Sequence, residues 1–479
     1  MSTVDVHRQH YNVTFALLAL AAVAYALLQS MVAPALLTIQ HDLHTSAAGV
    51  AWILSAYLIS ASAVTPIAGR LGDMFGKKRT LSVVLAILCA GTALAGLSTS
   101  IGLLIVARVI QGAGGAIFPL AFAIIRDEFP RDRIPHGIAL ISAIMGIGGG
   151  LGIVLAGPIV QHLSYHWLFW LPLIAVAAAT VGTILFVPES PVRAPGRIDP
   201  IGAALLSAWL VALLLPVSEG SSWGWTSGRS LGLFGLAFVL ALAWVWAETR
   251  SSAPVVDMQM MRRRAVWTTN LAALVFGFGM FSAFVLVPEL VELPASTGFG
   301  FGASVTQAGV FMIPATLGML VAGPISGRLS ATVGSKVPLL LGALVSCIAF
   351  FLLAFAHSAG WEIYLAMAVM GIGIGFAFAS MANLIVEAVA PHQTGIATGM
   401  NTIVRTIGGA IGSQVAAGIV KATLASSGAP TERGFTIAFA ASAAALAAGF
   451  AVALLVPGRP APARDERVAE AASAVRQRA

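Results

Sequence analysis

Apolar runs long enough to cross a bilayer recur along the whole chain, separated by short charged or Gly/Pro-rich breaks. About 20 predominantly apolar residues carry a helix across the hydrocarbon. On that measure the pattern predicts fourteen helices, near 13–37, 47–68, 80–98, 101–125, 137–160, 166–187, 200–216, 229–248, 266–292, 304–327, 337–356, 361–387, 397–420 and 434–456. A run such as LGLFGLAFVLALAWVWAE (Leu231 to Glu248) does not alternate apolar with polar positions, as a strand of a membrane barrel must. The spans therefore read as helices, the only other way to satisfy the backbone within lipid.

Composition agrees. Hydrophobic residues make up 58% of the 479 and charged residues only 9%, whereas a soluble domain carries about 25% charge. The first apolar stretch, from Val13 to about Leu37, is too long for a signal-peptide core and lacks a small-residue cleavage site, so it reads as a retained helix. The net charge of +7 sits in short loops rather than on one soluble face, which argues against a nucleic-acid partner. Cys89 and Cys347 lie in separate apolar runs, so no disulfide framework is expected. Lys and Arg concentrate in cytoplasmic loops of membrane proteins. With the N-terminus inside, Arg229, Lys421 and Arg433 fall outside, Arg108 and Arg405 fall within the membrane, and the other 21 of the 26 fall in the cytoplasm. An even helix number with both termini cytoplasmic preserves that asymmetry. The expected location is a bacterial inner membrane, crossed many times, with the lipid bilayer as solvent. The polar, Arg-rich tail has nothing to bury and is expected to be disordered.

An internal repeat gives the organisation. PIAGRLGDMFGKK (Pro66 to Lys78) matches PISGRLSATVGSK (Pro324 to Lys336) at an offset of 258 residues. HGIALISAIMGIGGGLG from His136 resembles TGIATGMNTIVRTIGGAIG from Thr394 at nearly the same offset. Both pairs correspond to a shift of eight helices, which two six-helix halves with a two-helix insert require. The expected division is a cytoplasmic N-terminus (1–12), an N-terminal bundle (13–188), an insert with linkers (189–265), a C-terminal bundle (266–457) and a tail (458–479). The insert helices have no counterpart in the repeat, so they are expected to pack outside the twelve-helix core.

GRLGDMFGKKR (Gly69 to Arg79) joins predicted helix 2 to helix 3 on the basic side. Glycines at 69, 72 and 76 permit a tight turn and close helix approach. Asp73 is suited to accept hydrogen bonds from a helix N-terminus or to pair with Arg70. Gly69, Arg70, Asp73, Gly76, Lys77 and Arg79 thus form a candidate conformational latch; the plainer alternative is a positive-inside loop with a helix cap. Ala331 stands where the second repeat would carry Asp73, so a charge-dependent latch is expected in the N-terminal half only.

These residues resemble the loop 2/3 signature of the major facilitator superfamily, and the helix count points to its fourteen-helix drug:proton antiporter branch. Met74 departs from the basic residue usual there. LIVARVIQGAGGA (Leu104 to Ala116) is similar to the second family motif, with Arg108 and Gln111 in place. The helix 2 stretch from Trp52 to Asp73 also fits. The resemblance implies an all-α membrane protein with the major-facilitator fold, and a transporter rather than an enzyme. It also implies a link between Arg108 and proton coupling. An intramembrane arginine costs several kcal/mol unless it meets a polar interior or a partner; the structural alternative is pairing with backbone carbonyls.

GIGGGLGIVLAGP (Gly146 to Pro158) resembles the antiporter motif of exporters, with Gly148, Gly149, Gly152, Gly157 and Pro158 as its candidates. Aligned on Trp167 to Phe169, the family's Gly-Pro pair falls at Gly152 and Ile153, so the proline is displaced. Where the branch usually carries an acid in helix 1, this chain has Leu28. Proton coupling then needs another carboxylate. Glu289 and Glu292 in VLVPELVELP share a helix face and are the candidates, against the alternative that they are solvated acids at a helix end. Gln29, Trp52, Gln111, Asn270 and Asn401 are the candidates for the substrate cavity.

QHDLH and QHLSYH bring His41, Asp42, His44, His162 and His166 to outer loops. No CxxC or HExxH accompanies them, so no metal is expected. There is no dinucleotide fingerprint, phosphate loop or nucleophile elbow, so no cofactor is expected, and without Walker motifs the energy source is an ion gradient. The reading is a monomeric secondary transporter that exports amphipathic drugs or toxic metabolites in exchange for protons. The alternatives are an exporter of one endogenous metabolite or lipid, or a receptor or enzyme in the membrane.

Overall fold

A computed structural model describes residues 11–194, 199–425 and 429–458; most of the expected N-terminal segment and the tail from Arg459 lie outside the described residues. The described chain contains fourteen helices long and apolar enough to span a membrane. They are α1 (Tyr11–Asp42), α2 (Ala47–Phe75), α3 (Lys77–Gly96), α4 (Ile101–Glu128), α5 (Ile134–His162), α6 (Trp167–Phe186), α7 (Pro200–Trp223), α8 (Gly228–Arg250), α9 (Arg264–Glu292), α10 (Val305–Val333), α11 (Lys336–Phe355), α12 (Gly360–Ala388), α13 (Thr394–Ala422) and α14 (Glu432–Leu455). Short polar breaks with Ser or Thr N-caps start several of them: Ser46 accepts from Gly49 N, Ser100 from Leu103 N and Thr431 from Gly434 N.

The repeat reappears as matched helices. α2 and α10 are both 29 residues long and start 258 residues apart; α5 and α13 are also both 29 long and start 260 apart. One apolar core gathers α1 to α6 around Leu28, Tyr57, Phe118 and Phe169. A second gathers α9 to α14 around Phe276, Phe350, Phe435 and Phe439. A third places Leu206, Leu210 and Leu214 of α7 against Ile59 of α2 and Ile396, Met400 and Ile407 of α13. α7 therefore lies in a groove between the halves, and α8 packs on α7. Side chains such as Ile174, Leu185, Phe238, Trp246 and Phe355 stay exposed, as lipid-facing residues of such bundles must.

Several helices differ from their sequence-based outline. α2 runs to Phe75 and α10 to Val333, seven and six residues past their predicted ends, so Gly69, Arg70 and Asp73 sit on α2 rather than in a loop. α7 runs through Pro216 to Trp223, seven residues past its predicted end, so Glu219 belongs to a membrane helix. α4 is interrupted by a 3-10 segment at Gly112–Ala116. There a Cβ on Gly112 or Gly115 would lie 2.5 Å from Ser60 Oγ or 2.4 Å from Thr65 Oγ1, so the glycines let α2 press against α4.

Candidate functional site

Charge gathers at one end of the bundle, here the basic face, where α2 and α4 of the first half meet α12 and α13 of the second. α2 ends at Gly76, whose φ of 115° a glycine adopts freely. The turn leaves Asp73 one helical turn from the end of α2, fully buried. Its Oδ1 accepts from Gly395 N at 3.1 Å and its Oδ2 from Ile396 N at 3.0 Å. A carboxylate of one half thus caps the N-terminus of a helix in the other, where the unpaired N–H groups and the helix dipole favour negative charge. Of the two partners expected for Asp73, the helix N-terminus supplies these bonds and Arg70 does not. Gly69 makes the approach possible, since a Cβ there would sit 2.5 Å from Gly395 O.

Arg126 of α4 completes the junction by donating to Thr394 Oγ1 at 2.7 Å and to Val389 O at 2.8 Å. Lys77, buried at the start of α3, pairs with the equally buried Asp127, which also accepts from Ser190 Oγ. Glu189 accepts from Lys78 N at 3.1 Å and Arg79 N at 3.2 Å, and its Oε2 lies 3.7 Å from Arg79 Nε. Four of the six latch candidates therefore meet partners named here, and Asp127, Arg126 and Glu189 join them. In the second half the repeat-related contact sets Gly327 of α10 against Pro135 and His136 of α5, with Ala331 in the position of Asp73.

Farther in, the two halves close on a small pocket of about 10 Å³, lined by Phe122, Ser142, Met145, Phe378, Ala382, Thr398, Asn401, Thr402 and Arg405. Arg405 and Met145 are each the twelfth residue of their 29-residue helices, so repeat-related positions meet here. Arg405 Nη2 donates to Met145 Sδ at 3.2 Å, and its guanidinium lies 4.5 Å from the centre of the Phe378 ring. Asn401 Nδ2 donates to Asn270 Oδ1 at 2.9 Å. Of the five cavity candidates, Asn401 lines this pocket and Asn270 stands behind it; Gln29 and Trp52 are half-buried outside the lining.

Gln111 lies elsewhere, in the core of the first half. Its Oε1 accepts from Arg108 Nη1 at 2.8 Å and its Nε2 donates to Thr92 Oγ1 at 3.1 Å. Arg108 also donates to Ile53 O and Leu28 O, each at 3.2 Å, and stacks 4.0 Å over the Tyr57 ring. It is fully buried and ties α1, α2 and α4 together. The backbone of Leu28, where the resembling branch has an acid, is one of its acceptors.

The glycines of α5 alternate between two neighbours. A Cβ on Gly148 or Gly152 would lie 2.3 Å from Ala26 Cβ or 1.9 Å from Ser30 Oγ of α1, and one on Gly157 would lie 2.3 Å from Thr306 Oγ1 of α10. A Cβ on Gly149 meets nothing, and Pro158 is exposed. Glu289 is half-buried and Glu292 exposed at the end of α9 opposite the basic face. Glu219, buried on α7, accepts from Ser55 Oγ of α2 at 2.9 Å and from Ser222 Oγ at 3.3 Å. Sequence reasoning missed it because α7 was ended at residue 216.

The profile of the Major Facilitator Superfamily matches residues 18–413. The chain is 27% identical over 391 residues to the tetracenomycin C resistance and export protein of Streptomyces glaucescens, covering 81% of this chain and 72% of that one. It is 28% identical over 359 residues to multidrug resistance protein 3 of Bacillus subtilis, covering 74% and 69%. It is 30% identical over 372 residues to the multidrug resistance protein B homolog of Mycobacterium tuberculosis, covering 76% and 67%. A crystal structure of the human organic anion transporter MFSD10 (TETRAN) superimposes with a TM-score of 0.65 at 18% identity, over 92% of this chain and 98% of that one, which speaks to the fold alone. With the repeat, the fourteen helices and the junction at Asp73, these likenesses make the chain a membrane transporter that belongs to the major facilitator superfamily.

Proposed function

We propose that this transporter exports amphipathic compounds in exchange for protons, by alternating access between its two halves. The observation that carries the reading is the small pocket between the two halves, which the Asp73 cap joins on the basic face. Rocking about such a pocket exposes it to one side at a time. Its aromatic and methionine lining adapts to varied apolar bodies, and the relatives named for multidrug resistance and for export support the direction. The positive-inside rule makes the basic face cytoplasmic in a bacterial plasma membrane. The working unit is a monomer whose binding site needs no second copy.

In this reading Arg108 holds α1, α2 and α4 as one body, and the proton travels on Glu289 or Glu292, one helical turn apart at the outer end of α9. The Leu28 position offers no carboxylate. Purified protein in proteoliposomes with an imposed pH gradient tests the proposal. Uphill movement of fluorescent amphipathic dyes that collapses on adding a protonophore is the expected result, and dye movement indifferent to the gradient rejects proton coupling. Glu289→Gln and Glu292→Gln are expected to weaken the pH dependence. If both keep it, they are surface acids and another group carries the proton.

A further inference from the structure

The membrane interior holds two arginines in opposite circumstances. Arg108 is spent largely on structure: it donates to two backbone carbonyls and a glutamine amide and stacks on a tyrosine ring, with its buried Nη2 alone left over and, among the described residues, no carboxylate beside it. Arg405 donates to a thioether, a weak acceptor, lies over the Phe378 ring, and otherwise faces the pocket between the halves. Among the described residues it forms no ion pair with any carboxylate. Its backbone is fixed from behind, because α9 approaches so closely that a Cβ on Gly277 would lie 2.0 Å from Arg405 O. A cation held near the middle of the bilayer without an anion costs several kcal/mol. Such a cost is retained where the missing partner arrives as ligand.

We propose that the central pocket recognises amphipathic organic acids, with the Arg405 guanidinium pairing with a carboxylate or comparable oxyanion on the transported molecule. The inference rests on the export reading and narrows its substrate class. The planar guanidinium offers up to five N–H donors suited to two-point binding of a carboxylate. Thr402 and Ser142 donate their hydroxyl protons to Thr398 O and Ile138 O, and Asn401 gives one N–H to Asn270, so these neutral groups leave the anion's charge to Arg405. Phe122, Phe378 and Met145 present apolar surface for the rest of the molecule once the halves part and the pocket, about 10 Å³ here, widens. The lining includes no Asp or Glu, so an organic cation finds no counter-charge and meets repulsion from Arg405.

Three probes that share one apolar body test this: pyrenebutyrate, its neutral amide, and pyrenebutylamine. Each is titrated against the full chain in detergent and then followed for pH-gradient-driven efflux from proteoliposomes. The carboxylate is expected to bind about ten- to a hundred-fold tighter than the amide, the range one charge-assisted pair gives, and the amine weakest. Arg405→Met is expected to lose the preference for the carboxylate while still binding the amide, which also reports that the variant is folded. Arg405→Lys is expected to keep part of it, as a point charge without the fork. Equal binding of all three probes, preference for the amine, no binding of any, or an undiminished carboxylate preference in Arg405→Met each overturns the proposal. Binding in the expected order without gradient-driven efflux would count against the export reading and leave the anion site standing. Efflux that favours the amine would count against the anion site alone.

Discussion

Asp73 joins the two halves through backbone amides, so its partner has no side-chain signature. The motif around it was legible, and so was the choice between a helix N-terminus and Arg70; that the helix is α13, 322 residues on from Asp73, was not. Asp127 was hidden for another reason. It sits among Arg126, Glu128 and Arg131 in what reads as a solvated charged turn, and only packing reveals its burial against Lys77. The two contacts predict different outcomes. An asparagine at 73 offers one acceptor oxygen where the carboxylate offers two, and it lacks the charge that suits a helix N-terminus. Bonds to a charged group are worth about 1.5–3 kcal/mol each, and 1.4 kcal/mol is tenfold in a population. Asp73→Asn is therefore expected to lower transport about tenfold or more with near-normal expression, and adding Ala331→Asp to restore nothing, since α10 meets α5 through Gly327 there. Wild-type efflux in Asp73→Asn would refute the latch. Lys77→Met leaves a carboxylate buried with a serine and should cost about 3–5 kcal/mol, much of which Lys77→Met/Asp127→Leu should recover. A thermal-unfolding cycle in detergent showing plain additivity would mean that the pair contributes nothing.

Helices as elements were easier to read than their ends. Apolar run length gave the number of helices and the repeat their partnership, because a period survives where single positions drift, and α2 and α10 do agree in length. Ends were missed at polar and Gly-rich stretches, as in α2, which runs on to Phe75, and in α7, which continues through Pro216; Pro in a membrane helix is tolerated when neighbouring groups meet the freed carbonyls. Glycine roles were legible as a class but not one by one. Gly408 of α13 faces the backbone of α9, where a Cβ would lie 1.9 Å from Leu274 O, whereas Gly149 of α5 faces open space. A backbone atom cannot turn aside as a side chain can. Gly408→Ala is accordingly expected to push α13 off α9 one turn from Arg405, lowering the melting temperature and weakening substrate binding. Gly149→Ala is expected to resemble wild type in both, and equal losses in the two variants would mean that close helix approach is not what Gly408 provides.

At the scale of the whole molecule, the insert has to be reconciled with motion between halves. α7 touches both: near the end opposite the basic face, Glu219 accepts from Ser55 of α2 at 2.9 Å, and Gln414 of α13 donates to Ser218 O at 3.4 Å. If the basic face opens while the opposite ends close, and the reverse, α7 cannot follow α2 and α13 at once. The first bond is short, buried and made to a carboxylate; the second is long and neutral. α7 is therefore expected to travel with the N-terminal half and slide against α13, carrying α8 with it. Cross-linking discriminates. In a background with Cys89 and Cys347 replaced by alanine, a short thiol-specific linker across Ser55→Cys and Glu219→Cys should leave efflux at the rate of the same unlinked variant. Across Ser218→Cys and Gln414→Cys it should arrest efflux, because it binds α7 to the half it must slide past. Arrest by the first link and tolerance of the second would mean that α7 moves with α13 instead. Tolerance of both would mean that the outer ends of α2 and α13 keep their spacing throughout the cycle, which alternating access does not allow.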